Sequence, residues 1–177
     1  MSKTRALLAG GIGGVALLAV GALPASAAQT GDTTTTFTLN GGTIDITSSS
    51  SANLPTGVSG QPFVSGQLGP VNVIDNRGGT ATWNAYVAST AFSTNNGVAT
   101  TTSTGVEYNT GSLNKTGEVT VAGTSGNIVV AAAPSPVVTG TSVVGNNTAS
   151  WDPMLRVNLP SNSLAGTWSG TVTTSVA

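Results

Sequence analysis

From residue 31 onward the sequence consists of short runs in which apolar and small polar residues alternate, each closed by Gly, Asn, Ser or Pro. Alternation with a period of two puts one set of side chains on each face of an extended chain. No stretch repeats its apolar residues at helical spacing, and Thr, Val and Gly stand where a helix favours Ala, Glu and Lys. The pattern predicts an all-β chain, a single sandwich of about eight to ten strands with no linker and no clear internal repeat.

Individual runs carry that reading. "TTTTFTLNGGTIDITS" places Phe37 and Leu39 on one face, and Asn40-Gly41-Gly42 supplies the positive-φ residues of a tight hairpin. Ile44 and Ile46 then continue on the return strand. "VSGQLGPVNVID" is extended, with Val71 and Val73 sharing a face. In "DNRGG" the Asp and Asn side chains bond to nearby backbone and the glycines accept left-handed conformations, which makes a turn. After it Trp83, Ala85 and Val87 alternate with Asn84, Tyr86 and Ala88, so residues 71–92 read as a hairpin with Trp83 pointing into the core. "VEYNT", "EVTVAG", "GNIVVAAA" and "PVVTGTSVV" are further strands, with Pro134 and Pro136 marking a break because proline donates nothing to a ladder. Trp151, Leu155, Val157 and Leu159 share one parity, and in the last run Trp168, Val172 and Val176 are expected to point inward. The fold class expected is an immunoglobulin-like β-sandwich.

The first residues fall outside that fold. "MSKTR" is a positive n-region, "ALLAGGIGGVALLAVGAL" an apolar h-region, and "PASAAQ" offers small residues for cleavage after Ala27 or Ala28. Residues 1–28 are read as a secretory signal peptide and residues 29–177 as the mature domain. With Lys3 and Arg5 removed, the cations are Arg77, Lys115 and Arg156, set against Asp32, Asp45, Asp75, Glu107, Glu118 and Asp152. Three scattered cations make no basic footprint, which argues against nucleic acid and against an electrostatically held membrane surface.

The chain has no Cys and no His. A thiol nucleophile, a thiolate metal site and an imidazole base or zinc ligand are therefore absent. The one lysine left after processing, Lys115 in "LNKTGE", reads as a loop residue in a poor setting for a base. Glu107 and Glu118 flank a loop and could face each other across a hairpin, as paired carboxylates do in glycoside hydrolysis; solvated strand ends are the plainer reading. Asp32, Asp45, Asp75 and Asp152 have oxygen-rich neighbours, but no run resembles a calcium loop. The expectation is a non-enzyme with no cofactor and no metal. If there is a ligand-binding surface, it is expected around Arg77 and Tyr86, with Trp83 beside them; the plainer reading makes Asp75 and Arg77 a turn-stabilising pair. Exposed aromatic side chains on a sandwich stack on sugar rings, whereas Trp83, Trp151 and Trp168 share parity with aliphatic neighbours and suit a core.

"TFTLNGGTIDIT", "SGQLGPVNVIDNRGGTATWNAYVASTAF" and "GNNTASWDPMLRVNLPSNSLAGTWSGTVTTSVA" resemble, in order, the WxL cell-wall-binding surface domains of Gram-positive bacteria, most closely the standalone exported type of actinobacteria. The family's "V-x-D-x-R-G" turn and following Trp strand fall on Asp75, Arg77, Gly78 and Trp83. Its C-terminal "P…AGTYTGT" pattern falls on Pro160, Ala165, Gly166, Thr167, Trp168, Gly170 and Thr171. The first W-x-L position reads Trp83-Asn84-Ala85, and the second, in "VTTSVA", has no Trp. The resemblance implies a secreted protein of the cell surface, associated non-covalently with peptidoglycan or another wall polymer. A Thr-rich, weakly charged surface raises a different expectation, a structural or adhesive subunit whose partner is another surface protein met through strand edges.

Overall fold

The computed structural model describes residues 31, 33–95, 97 and 99–177, and the expected signal peptide lies outside them. The chain divides into a unit of residues 1–37, whose described residues form no strand, and a unit of residues 38–177. The second unit is all-β. Its strands are β1 (Ile44–Thr47), β2 (Phe63–Gln67), β3 (Val71–Asp75), β4 (Trp83–Ser89), β5 (Ser93–Asn95), β6 (Thr100–Thr102), β7 (Gly105–Asn109), β8 (Leu113–Gly123), β9 (Ile128–Val130), β10 (Ser135–Trp151), β11 (Met154–Asn158) and β12 (Val172–Val176). The described count is thus twelve, above the eight to ten expected, with no helix among the described residues.

β10, 17 residues long, is the spine of the larger sheet. Val138 pairs with both Ala85 and Gly123, and Thr148 with both Ile74 and Thr116. β8 therefore follows one side of β10, while β3 and β4 take successive stretches of the other. β1 adds to β3 and β12 adds to β4. The register of β10 against β8 shifts between Thr141 and Val144 and again between Val144 and Thr148. Bulges bend and over-twist a strand. β1 and β12, the two ends of this run, approach each other without sharing a ladder, so the sheet folds back on itself. Pro136 lies inside β10 but beyond the reach of β8, where its missing donor costs nothing, and the register against β4 slips just after it.

The second sheet has the order β2-β11-β7-β9 and packs its inner face, Val106, Tyr108, Val130, Leu155 and Val157, against Val71, Val73, Trp83, Ala85, Val87 and Trp151 of the first. Burial of this apolar set at about 25 cal/mol per Å² is the main drive to the sandwich. Trp151 donates its indole N–H to the Tyr108 hydroxyl at 2.8 Å, tying the sheets together inside the core. Burial pushes the Tyr108 phenol up to about 12.

Four local expectations are corrected. Residues 33–43 form no strand, and the Asn40-Gly41-Gly42 hairpin is absent: Gly42 N–H donates to Asn76 and Asn76 N–H to Thr43, drawing β1 onto β3. β3 and β4 are not a hairpin, because β10 pairs with both. Lys115 sits within β8, not in a loop. Trp168 is half-exposed beside the isolated Ser93–Ser169 bridge, its indole N–H donating to Leu164 O at 3.2 Å, outside the core.

Candidate functional site

Two polar clusters are built around ion pairs, Asp75 with Arg77 and Glu107 with Arg156. The first is built on the "DNRGG" segment. Asp75 ends β3 with 1% of its surface exposed. Its Oδ1 accepts from Arg77 Nε at 2.9 Å and from Arg77 N–H at 3.1 Å, and its Oδ2 from Arg77 Nη2 at 3.0 Å and from Asn147 Nδ2 at 3.2 Å. Arg77 Nη2 also donates to Ala81 O at 2.9 Å, and Trp83 Nε1 donates to Asn147 Oδ1 at 3.2 Å. Gly145 N–H donates to Gly79 O at 2.9 Å. The segment between β3 and β4 is thus clasped to the bulged part of β10. Hydrogen bonding from the Arg77 side chain holds the Asp75 carboxyl below its ordinary range, with a smaller contribution from Asn147, and Asp75 in turn raises the Arg77 guanidinium. A charge so deeply placed persists because it is paired and fully hydrogen-bonded.

This geometry decides the role of the expected site residues. Trp83 has no exposed surface and lies over Gly140, where an added Cβ would come within 2.2 Å of Trp83 Cε2; its ring offers nothing to a ligand. Arg77 is consumed by Asp75 and by carbonyls of its own loop. Tyr86 is half-buried on the outer face of the first sheet, opposite Pro136 and Ser175, and no hydrogen bond or ion pair described joins it to Arg77. The three expected residues are not brought together into one exposed surface.

The second cluster was not foreseen as a site. It covers the outer face of the second sheet. Pairing sets Arg156 of β11 between Ser65 and Glu107, and Asn158 between Phe63 and Gly105. Glu107 Oε1 accepts from Asn158 Nδ2 at 2.8 Å and its Oε2 from Asn127 Nδ2 at 3.0 Å, while Asn109 Nδ2 donates to Asn127 Oδ1 at 3.0 Å. The amide of Asn158, then that of Asn127, holds the Glu107 carboxyl below its ordinary range. Arg156 approaches Glu107 at 3.8 Å and lays its guanidinium on the Phe63 ring, 3.9 Å from the centroid, while its Nε has no hydrogen-bond partner. Phe63 and Met154 remain partly exposed on the same sheet.

Sequence alternation marks Arg156 and Asn158, and Glu107 and Asn109, as outward pairs of their own strands. What it does not reveal is that β7 and β11, far apart in the chain, are neighbours. Glu107 and Glu118 lie in different sheets, so the paired-carboxylate arrangement is not formed. No group of three metal-ligating side chains occurs among the described residues, and Asp32 lies outside them.

No known protein family matches the chain, and neither the curated proteins nor the solved structures provide a match.

Proposed function

We propose that this is an exported, non-enzymatic protein of the bacterial cell surface, a WxL-like domain that binds wall polymer, peptidoglycan above all, through the outer face of the β2-β11-β7-β9 sheet. The observation that carries the reading is that face itself: three asparagine amides, a fixed carboxylate, and a guanidinium placed over the Phe63 ring. Glycan strands present hydroxyls, amide groups and apolar C–H faces, and their cross-linking peptides present carboxylates. Preorganised amides suit the first two, the Phe63 edge and Met154 suit the third, and a planar guanidinium binds carboxylates with charge assistance. Export rests on the n-region, h-region and small-residue cleavage pattern of residues 1–28. Wall association rests on the resemblance of Asp75, Arg77, Gly78 and Trp83 to the family's turn and strand.

Co-sedimentation of the mature protein with purified peptidoglycan, at low and at high salt, tests this. Retention that survives salt and falls about tenfold in Arg156→Ala or Asn158→Ala, the loss of one charge-assisted or buried hydrogen bond, is the expected result. A protein left in the supernatant, or one retained equally well by both variants, would overturn it.

A further inference from the structure

The core of the sandwich is not closed at one place. Between residues 48–52, which follow β1, and residues 170–172, which lead into β12, a cleft of about 220 Å³ runs down to core side chains. Its floor includes Val71, 3% exposed, and Tyr108 and Leu155, both 0% exposed. Protein interiors hold few voids larger than a water molecule. A dry apolar cavity of about 150 Å³ is enough to hold benzene, so this cleft has room for one six-membered ring and a small substituent.

The walls of the cleft are held in place. An added Cβ at Gly69, whose φ is 87°, would collide with Ser49 Oγ, so the serine segment seats directly on that glycine. The preceding residue, Leu68, donates its N–H to Pro153 O at 2.9 Å. On the opposite side Thr171 N–H donates to Thr90 Oγ1 and Thr90 N–H to Thr171 O, both at 2.9 Å. A Cβ at Gly170 would come within 2.7 Å of the Phe92 ring, which therefore packs against bare backbone. Small-molecule sites are usually formed in this way before their ligand arrives.

The lining selects the chemistry of a guest. Among the described residues no Asp, Glu, Lys or Arg lines the cleft, and an ion entering it would lose its hydration without gaining a partner. Val71, Leu155, Val172 and the Phe92 ring present hydrocarbon, and the Tyr108 hydroxyl is already committed to the Trp151 indole. Free hydroxyls stand together on Ser48, Ser49, Ser50, Ser51 and Thr174. Thr174 is half-buried, between Val172 and Val176 on the same side of β12. Among the described residues none of these five hydroxyls makes a hydrogen bond.

We infer that this cleft binds a small uncharged molecule composed of one apolar six-membered ring and a hydroxyl group. The ring lies against Val71, Leu155 and Val172, and the hydroxyl meets Thr174 and the serine segment. Burial of the ring supplies affinity, and the few polar groups fix its orientation. Leu155 faces the inner side of β11, whereas Arg156 and Asn158 face its outer side. The cleft is therefore a different site from the proposed wall-binding face, and either holds without the other.

Benzyl alcohol is the probe, and benzoate, of similar shape but charged, is its control. In an NMR titration of the isotope-labelled mature protein, benzyl alcohol should shift the amides of Leu68, Gly69, Gly170 and Val172 saturably, with a Kd of about 1 mM. Benzoate should leave them in place. Thr174→Val, which keeps the shape of the side chain and removes its hydroxyl, should weaken binding about three- to tenfold, the loss of one neutral hydrogen bond. Val172→Phe, which puts a ring of its own into the cleft, should abolish binding; should it fail to fold by circular dichroism, Thr174→Val decides alone. No saturable shift with benzyl alcohol, equal shifts with benzoate, full affinity in Thr174→Val, or binding retained by a folded Val172→Phe would each overturn the inference.

Discussion

Asp75, Arg77 and Asn147 repeat, in residue type, the trio of Glu107, Arg156 and Asn158: one carboxylate, one guanidinium and one amide. In the first trio, Asp75 and Asn147 are buried between β3, β10 and the segment leading to β4, and Arg77 meets Asp75 with two parallel hydrogen bonds. In the second the groups lie on an outer sheet face, and the arginine stands 3.8 Å from the carboxylate and over the Phe63 ring. The same chemistry becomes a clasp where water is excluded and a candidate contact surface where it is not. Buried polar groups must satisfy one another, whereas exposed ones retain bonding capacity for something else.

That contrast can be broken from either side. Trp83→Ala should have the largest effect, destabilising the fold by about 3–5 kcal/mol through the cavity it leaves and the lost bond to Asn147, as read by denaturant or thermal unfolding. Asp75→Ala should cost about 3 kcal/mol, since it removes the carboxylate that Arg77 Nε and Nη2 and the Asn147 amide all donate to. Gly140→Ala should cost about 1–3 kcal/mol by driving a methyl into the Trp83 ring. Glu107→Gln belongs at the bottom of the scale, below about 1 kcal/mol, because its partners are surface groups; its effect should appear in retention on peptidoglycan instead.

Acid sharpens the comparison. The folded Asp75 carboxyl is held below its ordinary range, so the stability it adds is complete above the unfolded value of about 3.9 and disappears as pH falls through the lower folded value. Melting temperature should therefore be level as far as carboxylates are concerned down to about pH 5 and decline below about pH 4. Asp75→Asn should start lower and decline less. Glu107 shifts in the same direction, so Glu107→Gln should also flatten the acid limb, by less than Asp75→Asn because its carboxylate is more exposed.

Much of the fold was legible in the sequence. Alternation placed Val71, Val73, Trp83, Ala85, Val87, Trp151, Leu155 and Val157 inward, and all of them are core. The bonded Asp75–Arg77 turn was also legible, because an Asx bond and a guanidinium two residues away are local. Trp168 was misjudged: it shares parity with Val172 and Val176, but the chain enters β12 only at Val172, after passing it. The hairpins at residues 34–46 and 71–92 were misjudged for a related reason, since turn residues permit a reversal without deciding which strand lies alongside. Of the candidate surface, the outward parity of Glu107, Arg156 and Asn158 could be read, and their meeting could not.

The sequence by itself therefore determined the all-β class, the inward side chains of β3, β4 and β11 and the local Asp75 turn, because period and turn chemistry act over a few residues. Tertiary structure alone decided that β10 would separate β3 from β4, that Asn147 would complete the clasp, and that Arg156 would lie on Phe63 beside Glu107. Those outcomes depend on pairings between strands distant in the chain, whose register is chosen by the packing of the whole core and not by any one segment.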